Sequence, residues 1–334
     1  MRATPGSVRG AGERLAPATD RAPILGFAAV LTAAALFGTL GPTSRIAYRA
    51  GLEPLSFVTW RAAIAALAVF ALVAWGTTRG RAIVRPRNID RWARLGLVVA
   101  AITATTLNLG MFASFNRIPI GLALLAFYTY PAMTAVVAVV LRREPLDRSR
   151  VIALVLATAG MALVLAGQLD GSRLDVLGIL LALSAAVSQT VFVTISRDAY
   201  RSVPADQAMA FILATSAATA AFVAVLAGIR SELVLPLVRP DVLPILVFTG
   251  IAAAAVPSLL FLNGIRVIGG TRAAILMLLE PLVGVLLAAW LLAEGLQPIQ
   301  LLGGAAILAA AVVLQRAAIA TSRPRPEAMP REAA

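Results

Sequence analysis

The sequence predicts an all-α integral membrane protein with ten transmembrane helices, arranged as two inverted five-helix repeats. Three observations support this prediction: an apolar composition, ten apolar segments of bilayer length, and a match of the chain with itself at an offset of 150 residues. Of the 334 residues, 60% are hydrophobic and only 13% are charged, whereas a soluble domain is closer to half apolar and a quarter charged. A lipid bilayer is therefore the expected solvent for the excess apolar surface.

Apolar runs of about 20 residues, the length that crosses a bilayer as a helix, recur along the chain with short polar separators. The predicted spans are 24–44, 54–75, 94–115, 119–141, 150–167, 174–195, 204–227, 242–264, 271–293 and 298–317.

Both ends of the chain differ from the apolar runs. Residues 1–22 and 319–334 are rich in Arg, Pro and Ala, and we expect them to be disordered cytoplasmic tails. A cleaved signal peptide is the competing interpretation of the first tail. The apolar run from Ile24 is as long as a bilayer span and has no obvious small-residue cleavage site behind it, so an uncleaved first helix is favoured.

The positions of the basic residues test the predicted spans. All 29 are arginine; with the N-terminus in the cytoplasm, 22 fall in cytoplasmic segments, six fall on the opposite side and Arg61 lies within a helix. The positive-inside rule predicts such a split, and we expect a bacterial inner-membrane protein with both termini in the cytoplasm. The arginines form no basic face with an aromatic platform, so the net charge of +13 indicates no nucleic-acid partner.

Missing residue types exclude several function classes. The chain has no cysteine, histidine or lysine, so it has no Cys or His metal site, no His or Cys for catalysis, and no Schiff-base lysine. No G-x-x-x-x-G-K-[ST] loop is present for ATP. The expected partners are a small-molecule substrate and the lipid bilayer, without a cofactor or a metal. The protein is expected to be a monomer or a homodimer and not to be an enzyme.

An internal repeat divides the apolar region into 23–168 and 173–318. The stretch 123–146 matches 273–296, and the same offset aligns Pro54 with Pro204, Pro131 with Pro281, and Glu144 with Glu294. Because five spans are an odd number, the second copy must enter the membrane in the opposite orientation. Many secondary transporters build alternating access from inverted repeats; a duplication without a transport role is the alternative.

Several short patterns recur in one family of transporters. They are Phe37-Gly38-Thr39, Pro54 with Arg61 seven residues on, and two Pro–x12–Glu patterns ending in Arg-Glu-Pro-Leu (143–146) and Ala-Glu-Gly-Leu (293–296). With these patterns the chain resembles the EamA-type branch of the drug/metabolite transporter superfamily over residues 24–317. Phe37 departs from the tryptophan that the family often has before this glycine. The resemblance implies a central cavity, lined mainly by helices three, four, eight and nine with contributions from one and six, and ATP-independent export or uptake of small metabolites.

Glu280 is the most informative candidate for mechanism. It lies about ten residues into the ninth span, roughly 15 Å along the helix and near the bilayer midplane. An ionised carboxylate is costly at that depth and is by default a functional hypothesis. We expect it to bind a proton or the amine of a cationic or zwitterionic substrate; a protonated structural acid beside Pro281 is the alternative.

Three prolines are candidate kinks. Pro131 and Pro281 each remove a helical hydrogen bond and crowd the carbonyl four residues earlier, on Phe127 and Met277. These carbonyls could face the cavity as ligands, although a purely structural kink is favoured. Pro257 is a similar candidate in the eighth span.

Five polar residues near mid-span are candidates for the cavity wall. Asn108 and Ser258 are repeat mates, and Asn263 extends the same pattern. Tyr130 is the repeat mate of Glu280, with Tyr128 beside it. Polar side chains avoid lipid-facing positions, and interhelical hydrogen bonds that only stabilise packing are the alternative for all five.

Arg61, about seven residues into the second span, is a further candidate for substrate or proton binding and could pair with an acid such as Glu280. Snorkelling to the outer interface or a role in helix packing is the favoured interpretation. The function predicted from these patterns is a secondary transporter, most simply an exporter, of a small organic metabolite such as an amino acid or an amine, with proton coupling as an option. A channel or a lipid scramblase without gradient coupling is the alternative.

Overall fold

The computed structural model describes residues 21–115, 117–118, 120–141, 147–166, 175–292 and 295–322. These residues form helices and connecting turns and contain no strand. Within these described ranges, ten helices are long and apolar enough to cross a membrane, which confirms the predicted fold class. Each predicted boundary agrees within five residues. The spans are span 1 (Ala22–Arg49), span 2 (Pro54–Thr78), span 3 (Arg91–Phe115), span 4 (Ile120–Val140), span 5 (Arg148–Ala166), span 6 (Val176–Ser196), span 7 (Ala205–Leu226), span 8 (Pro240–Ile268), span 9 (Gly270–Leu291) and span 10 (Pro298–Ala317).

The terminal helices run further than the sequence predicted. The helix of span 1 begins at Arg21, and the helix of span 10 continues to Ser322, so both enter the stretches predicted as tails. Helix ends depend on local capping rather than on hydropathy, and boundaries derived from hydropathy are therefore uncertain by a few residues. The rest of the predicted tails, and the repeat-mate acids Glu144 and Glu294, lie outside the described residues.

Three spans consist of two helices each, and one contains an irregular turn. Span 1 comprises Arg21–Gly38 and Leu40–Arg49, span 4 comprises Ile120–Phe127 and Tyr130–Val140, and span 9 comprises Gly270–Leu276 and Leu279–Leu292. Span 8 passes from Leu243–Gly250 through a π-helical turn, Ile251–Ala255, into Val256–Ile268. Outside the spans lie the helix Arg230–Val238 and the 3₁₀ turn Pro86–Asn88, and the 3₁₀ turn Pro240–Val242 begins span 8.

Proline explains the interruptions of spans 4, 8 and 9. Pro131 and Pro281 follow the breaks in spans 4 and 9 by a few residues, and Pro257 is the second residue after the π-helical turn. Each proline lacks the N–H that would bond the preceding turn, so the helix closes by a shorter or a longer hydrogen-bonded turn instead. In span 9 the Glu280 amide donates to the Met277 carbonyl at 3.0 Å, a 3₁₀-type bond.

The packing of the spans follows a pseudo-twofold axis in the plane of the membrane. The most extensive contacts join span 5 to span 10, span 2 to span 7, span 3 to span 6, and span 1 to span 8. Spans 5 and 10 are repeat mates that pack on each other, and so are spans 2 and 7. The repeat operation converts the contact of span 3 with span 6 into the contact of span 8 with span 1. This pattern is what two inverted copies of one five-helix unit produce.

Small residues allow the close approach of spans 5 and 10. A Cβ atom added to Gly160 would lie 2.6 Å from the Gly303 carbonyl oxygen, so this crossing accepts glycine only. Close packing of small residues is the usual source of helix association in lipid. Large apolar side chains such as Leu67, Phe222 and Trp290 are exposed on the outside of the bundle, where acyl chains would cover them.

Candidate substrate cavity

A cavity of about 250 Å³ lies between the two repeats. Spans 1, 2, 3, 4, 6, 7, 8 and 9 all contribute residues to its wall, most of them aliphatic or aromatic. The polar residues of the wall are Arg61, Thr105, Asn108, Tyr128, Tyr130, Gln189, Ser216, Ser258 and Glu280. A mostly apolar cavity with a few converging polar groups is the usual form of a small-molecule site.

Glu280 lies at the break of span 9 and faces Tyr128 at the break of span 4. The Tyr128 hydroxyl and the Glu280 carboxyl are neighbours in the cavity wall. The two helix breaks therefore bring an acid from one repeat close to a phenol from the other. The carboxyl keeps acceptor positions that a ligand or a proton can use.

Three aromatic side chains form a cluster around the break in span 4. The ring of Phe127 lies 5.2 Å from the rings of both Tyr128 and Tyr130, measured between centroids. Both tyrosines are almost fully buried, and the Tyr130 side chain lies near Gln189 of span 6, which also lines the cavity. Such packing fixes the phenol groups and so positions the hydroxyl that meets Glu280.

Gly38 brings span 1 against the backbone of Glu280. A Cβ atom at Gly38 would lie 2.7 Å from the Cβ of Val283 and 2.8 Å from the carbonyl oxygen of Glu280. Span 1 breaks at this point, where the Thr39 hydroxyl donates to the Leu36 carbonyl at 2.7 Å. The Phe37-Gly38-Thr39 pattern therefore has a physical role, because it allows three interrupted spans to converge beside the cavity.

Arg61 does not snorkel to the interface, which was one of the two favoured interpretations of this residue. Its side chain is only 8% exposed, and its Nη2 donates to Asn108 Oδ1 at 3.0 Å. Asn108 Nδ2 in turn donates to the Ala104 carbonyl at 2.8 Å, which fixes the amide. The guanidinium is therefore hydrogen-bonded inside the bundle and not to water at the membrane surface.

Arg61 and Glu280 face the same cavity from opposite repeats and attract each other electrostatically. They are not in contact, since no ion pair joins them in the described part of the chain, and the Arg61 Nε has no hydrogen-bond partner. The cavity thus presents a guanidinium and a carboxyl group that do not pair with each other directly.

Asn263 does not line the cavity. It is exposed on the outside of the bundle, and its Nδ2 donates to the Leu259 carbonyl at 2.8 Å. Ser258, five residues earlier, does line the cavity. Five residues of an α-helix turn through about 500°, so the two side chains point in different directions. The self-satisfied amide explains how Asn263 is tolerated in lipid.

The three prolines lie behind the cavity rather than in its wall. Pro131, Pro257 and Pro281 are absent from the lining, whereas Phe127 and Met277, four residues before two of them, are part of it. The Met277 carbonyl is already bonded to the Glu280 amide.

Gln189 and Ser216 belong to the cavity wall and were not predicted. Gln189 is the only amide in span 6 and lies near its middle, so mid-span polarity was a usable signal for it. Ser216 is bonded to Thr105 of span 3, with 3.2 Å between the hydroxyl oxygens. No sequence signal distinguishes it from the neighbouring small residues of span 7.

Repeat-related contacts close the two ends of the bundle. At the end that carries loops 79–90 and 197–204 (the basic end), Gln207 Nε2 donates to the Ala82 carbonyl at 3.0 Å. At the other end (the opposite end), Ser56 Oγ donates to the Glu232 carbonyl at 2.7 Å. Ala82 and Glu232 are 150 residues apart and are therefore repeat mates. The repeat mate of Gln207 is Phe57, which is next to Ser56. One contact thus joins the start of span 7 to the loop after span 2, and the other joins the start of span 2 to the segment after span 7.

A further cluster reinforces the basic end. Arg266, near the end of span 8, donates to the Val203 and Tyr200 carbonyls at 3.1 and 3.2 Å. Its guanidinium also lies over the Tyr200 ring, 5.5 Å from the centroid. Burial raises the pKa of Tyr200 to about 12, so the phenol stays neutral and hydrogen-bonds Ser196. At the opposite end the Trp60 indole donates to the Leu233 carbonyl at 2.9 Å.

A model of the EamA-like transporter family matches the chain twice, over residues 24–166 and 176–316. The chain belongs to this family. A protein of Bacillus subtilis (strain 168) named "Uncharacterized transporter YwfM" is 27% identical over 291 residues, which cover 86% of this chain and 93% of that protein. A solved crystal structure with 20% identity superimposes with a TM-score of 0.71 over 89% of this chain and 98% of that one, a likeness that concerns the fold alone.

This EamA-like protein is therefore a multi-pass membrane transporter with a duplicated fold. Its family consists of transporters rather than enzymes. Such a protein acts on a small-molecule substrate and lies in a lipid bilayer.

Proposed function

We propose that the protein is a secondary transporter that exports a small organic metabolite, such as an amino acid or an amine, across the bacterial inner membrane. Its main support is the position of Glu280, at the interruption of span 9 and inside the central cavity. Interrupted helices that meet near mid-membrane are the usual binding site of secondary transporters.

Glu280 is proposed to couple transport to protons. An ionised Glu280 attracts the ammonium group of a substrate, whereas a protonated Glu280 does not. Proton and substrate therefore compete for one carboxyl, and their exchange drives export when the outside is more acidic than the cytoplasm. The nearby Tyr128 hydroxyl can bond the carboxyl in both states, as a donor to the ionised form or as an acceptor from the protonated form.

Access is proposed to alternate between the two ends of the bundle. The basic end is assigned to the cytoplasm by the positive-inside rule, with both termini on that side. Opening that end requires the Gln207–Ala82 contact to break, and opening the opposite end requires the Ser56–Glu232 contact to break. Because the two contacts are repeat-related, exchanging the conformations of the two repeats exchanges which end is closed.

The proposal is tested with purified protein in liposomes that are loaded with labelled amino acids or amines. The measurement is the rate of solute exchange under imposed pH gradients. We expect solute exchange that follows the pH gradient in the wild type and not in Glu280→Gln. Solute flux that ignores every gradient would favour a channel, and lipid flux without solute flux would favour a scramblase. Absence of any solute exchange would contradict the proposed function.

A further inference from the structure

Arg61 is an incompletely bonded cation inside the membrane. Its side chain is 8% exposed, Nη2 bonds the neutral amide of Asn108, and Nε has no partner. A guanidinium has five N–H donors in a planar fork. Buried charges in membrane proteins are normally paired with a counter-charge, and the described part of the chain brings no carboxylate within ion-pair distance of this one.

The cation is present in only one repeat. The repeat mate of Arg61 is Phe211, which is 41% exposed on the outside of the bundle. A role in helix packing common to both repeats would not require a charge at this position. The repeat-mate positions of Arg61 and Phe211 therefore carry different chemistry, as do those of Tyr130 and Glu280. Arg61, Tyr130 and Glu280 all line the cavity.

Asn108 has the geometry of a positioning residue for Arg61. Its amide is anchored on the Ala104 carbonyl, and its carbonyl oxygen receives the Nη2 of Arg61. This holds one edge of the guanidinium against span 3 and leaves the remaining donors for a ligand in the cavity. A planar guanidinium is well suited to bind a carboxylate through two hydrogen bonds.

We propose that Arg61 is a specificity-determining residue that binds a carboxylate of the substrate, so that the transported solute carries an acidic group and is not a simple amine. This inference rests on the proposed function and narrows it. A solute with both an ammonium and a carboxylate group satisfies Glu280 and Arg61 together, without the two side chains having to contact each other.

The test compares solutes that differ only at the carboxylate. Leucine, phenylalanine and threonine are each compared with their amide and with their decarboxylated amine. The measured quantity is how strongly each compound inhibits the exchange of a labelled solute in proteoliposomes. For the side chains that the wild type accepts, we expect the acid to compete at least about tenfold better than the amide, the factor typical of one charge-assisted hydrogen bond. Arg61→Gln should lose this preference, and Arg61→Lys should retain part of it.

Two further variants make the result interpretable. Arg49→Gln removes an exposed arginine from the end of span 1 and should keep the full preference. Asn108→Ala should weaken the preference even if Arg61→Gln fails to fold. Equal competition by acids and amides in a wild type that does exchange solutes would overturn this inference alone, whereas a wild type that exchanges nothing would overturn the proposed function.

Discussion

Replacing Gly38 by alanine adds one methyl group to the contact between spans 1 and 9. That methyl carbon would lie 2.7 Å from the Val283 Cβ and 2.8 Å from the Glu280 carbonyl oxygen, where ordinary contacts begin at 3.4 Å. The two helices must therefore separate by about 0.7 Å, because neither neighbouring atom can rotate away. Overpacking of this kind typically costs about 1–3 kcal/mol.

The same displacement moves the backbone of Glu280 relative to Tyr128. We therefore expect Gly38→Ala to lower both the free energy of unfolding and the rate of solute exchange per folded molecule. Unfolding is measured by denaturant titration in detergent micelles, and exchange is measured in proteoliposomes that contain equal amounts of folded protein.

Gly41→Ala is the matched control, three residues further along the same span. A Cβ atom at Gly41 meets nothing within 4 Å, and alanine is a better helix former than glycine by about 1 kcal/mol. We expect unchanged exchange and equal or higher stability. If Gly38→Ala behaved like Gly41→Ala in both assays, the contact between Gly38 and the Glu280 backbone could not have the role described above.

Three other predictions follow from the site and the packing. Glu280→Gln should abolish the pH response of transport while leaving the unfolding midpoint nearly unchanged; a retained pH response would refute proton coupling at this residue. Gln207→Ala should make a cysteine introduced at Ser258 in the cavity wall more accessible to an impermeant thiol reagent from the basic end. Ser56→Ala should make the same cysteine more accessible from the opposite end, and identical labelling patterns in both variants would contradict the paired contacts. Gly303→Leu should destabilise the bundle by at least about 1–3 kcal/mol, measured by the same titration, and an unchanged stability would show that spans 5 and 10 pack differently.

Most of the fold follows from solvent and chain length. An apolar run can satisfy its backbone hydrogen bonds in lipid only as a helix, so hydropathy was sufficient to place all ten spans. The offset that aligns Pro131 with Pro281 also predicted the paired interruptions in spans 4 and 9. The break in span 1 had no such signal, because it depends on the contact of Gly38 with a distant span.

Residues of the cavity wall could be predicted where residue type and depth in the membrane were enough to single them out. Glu280 and Tyr130 are rare residue types at mid-span and repeat-mate positions, and both line the cavity. Asn263 was misplaced because depth along a helix does not determine the direction of a side chain. Snorkelling of Arg61 was a wrong expectation because it competes with hydrogen bonding to Asn108, a residue 47 positions away in the chain.

The most direct test of the account is whether the central cavity opens to both sides of the membrane. The chain contains no cysteine, so Ser258→Cys creates a single thiol in the cavity wall, and Asn263→Cys creates a control thiol on the outer surface of the same span. An impermeant thiol reagent should label the cavity cysteine from either face of oriented vesicles, with protection by the transported solute, and should not label the control. Labelling of Ser258→Cys from one face only, under all solute and pH gradients, would contradict a cavity with alternating access.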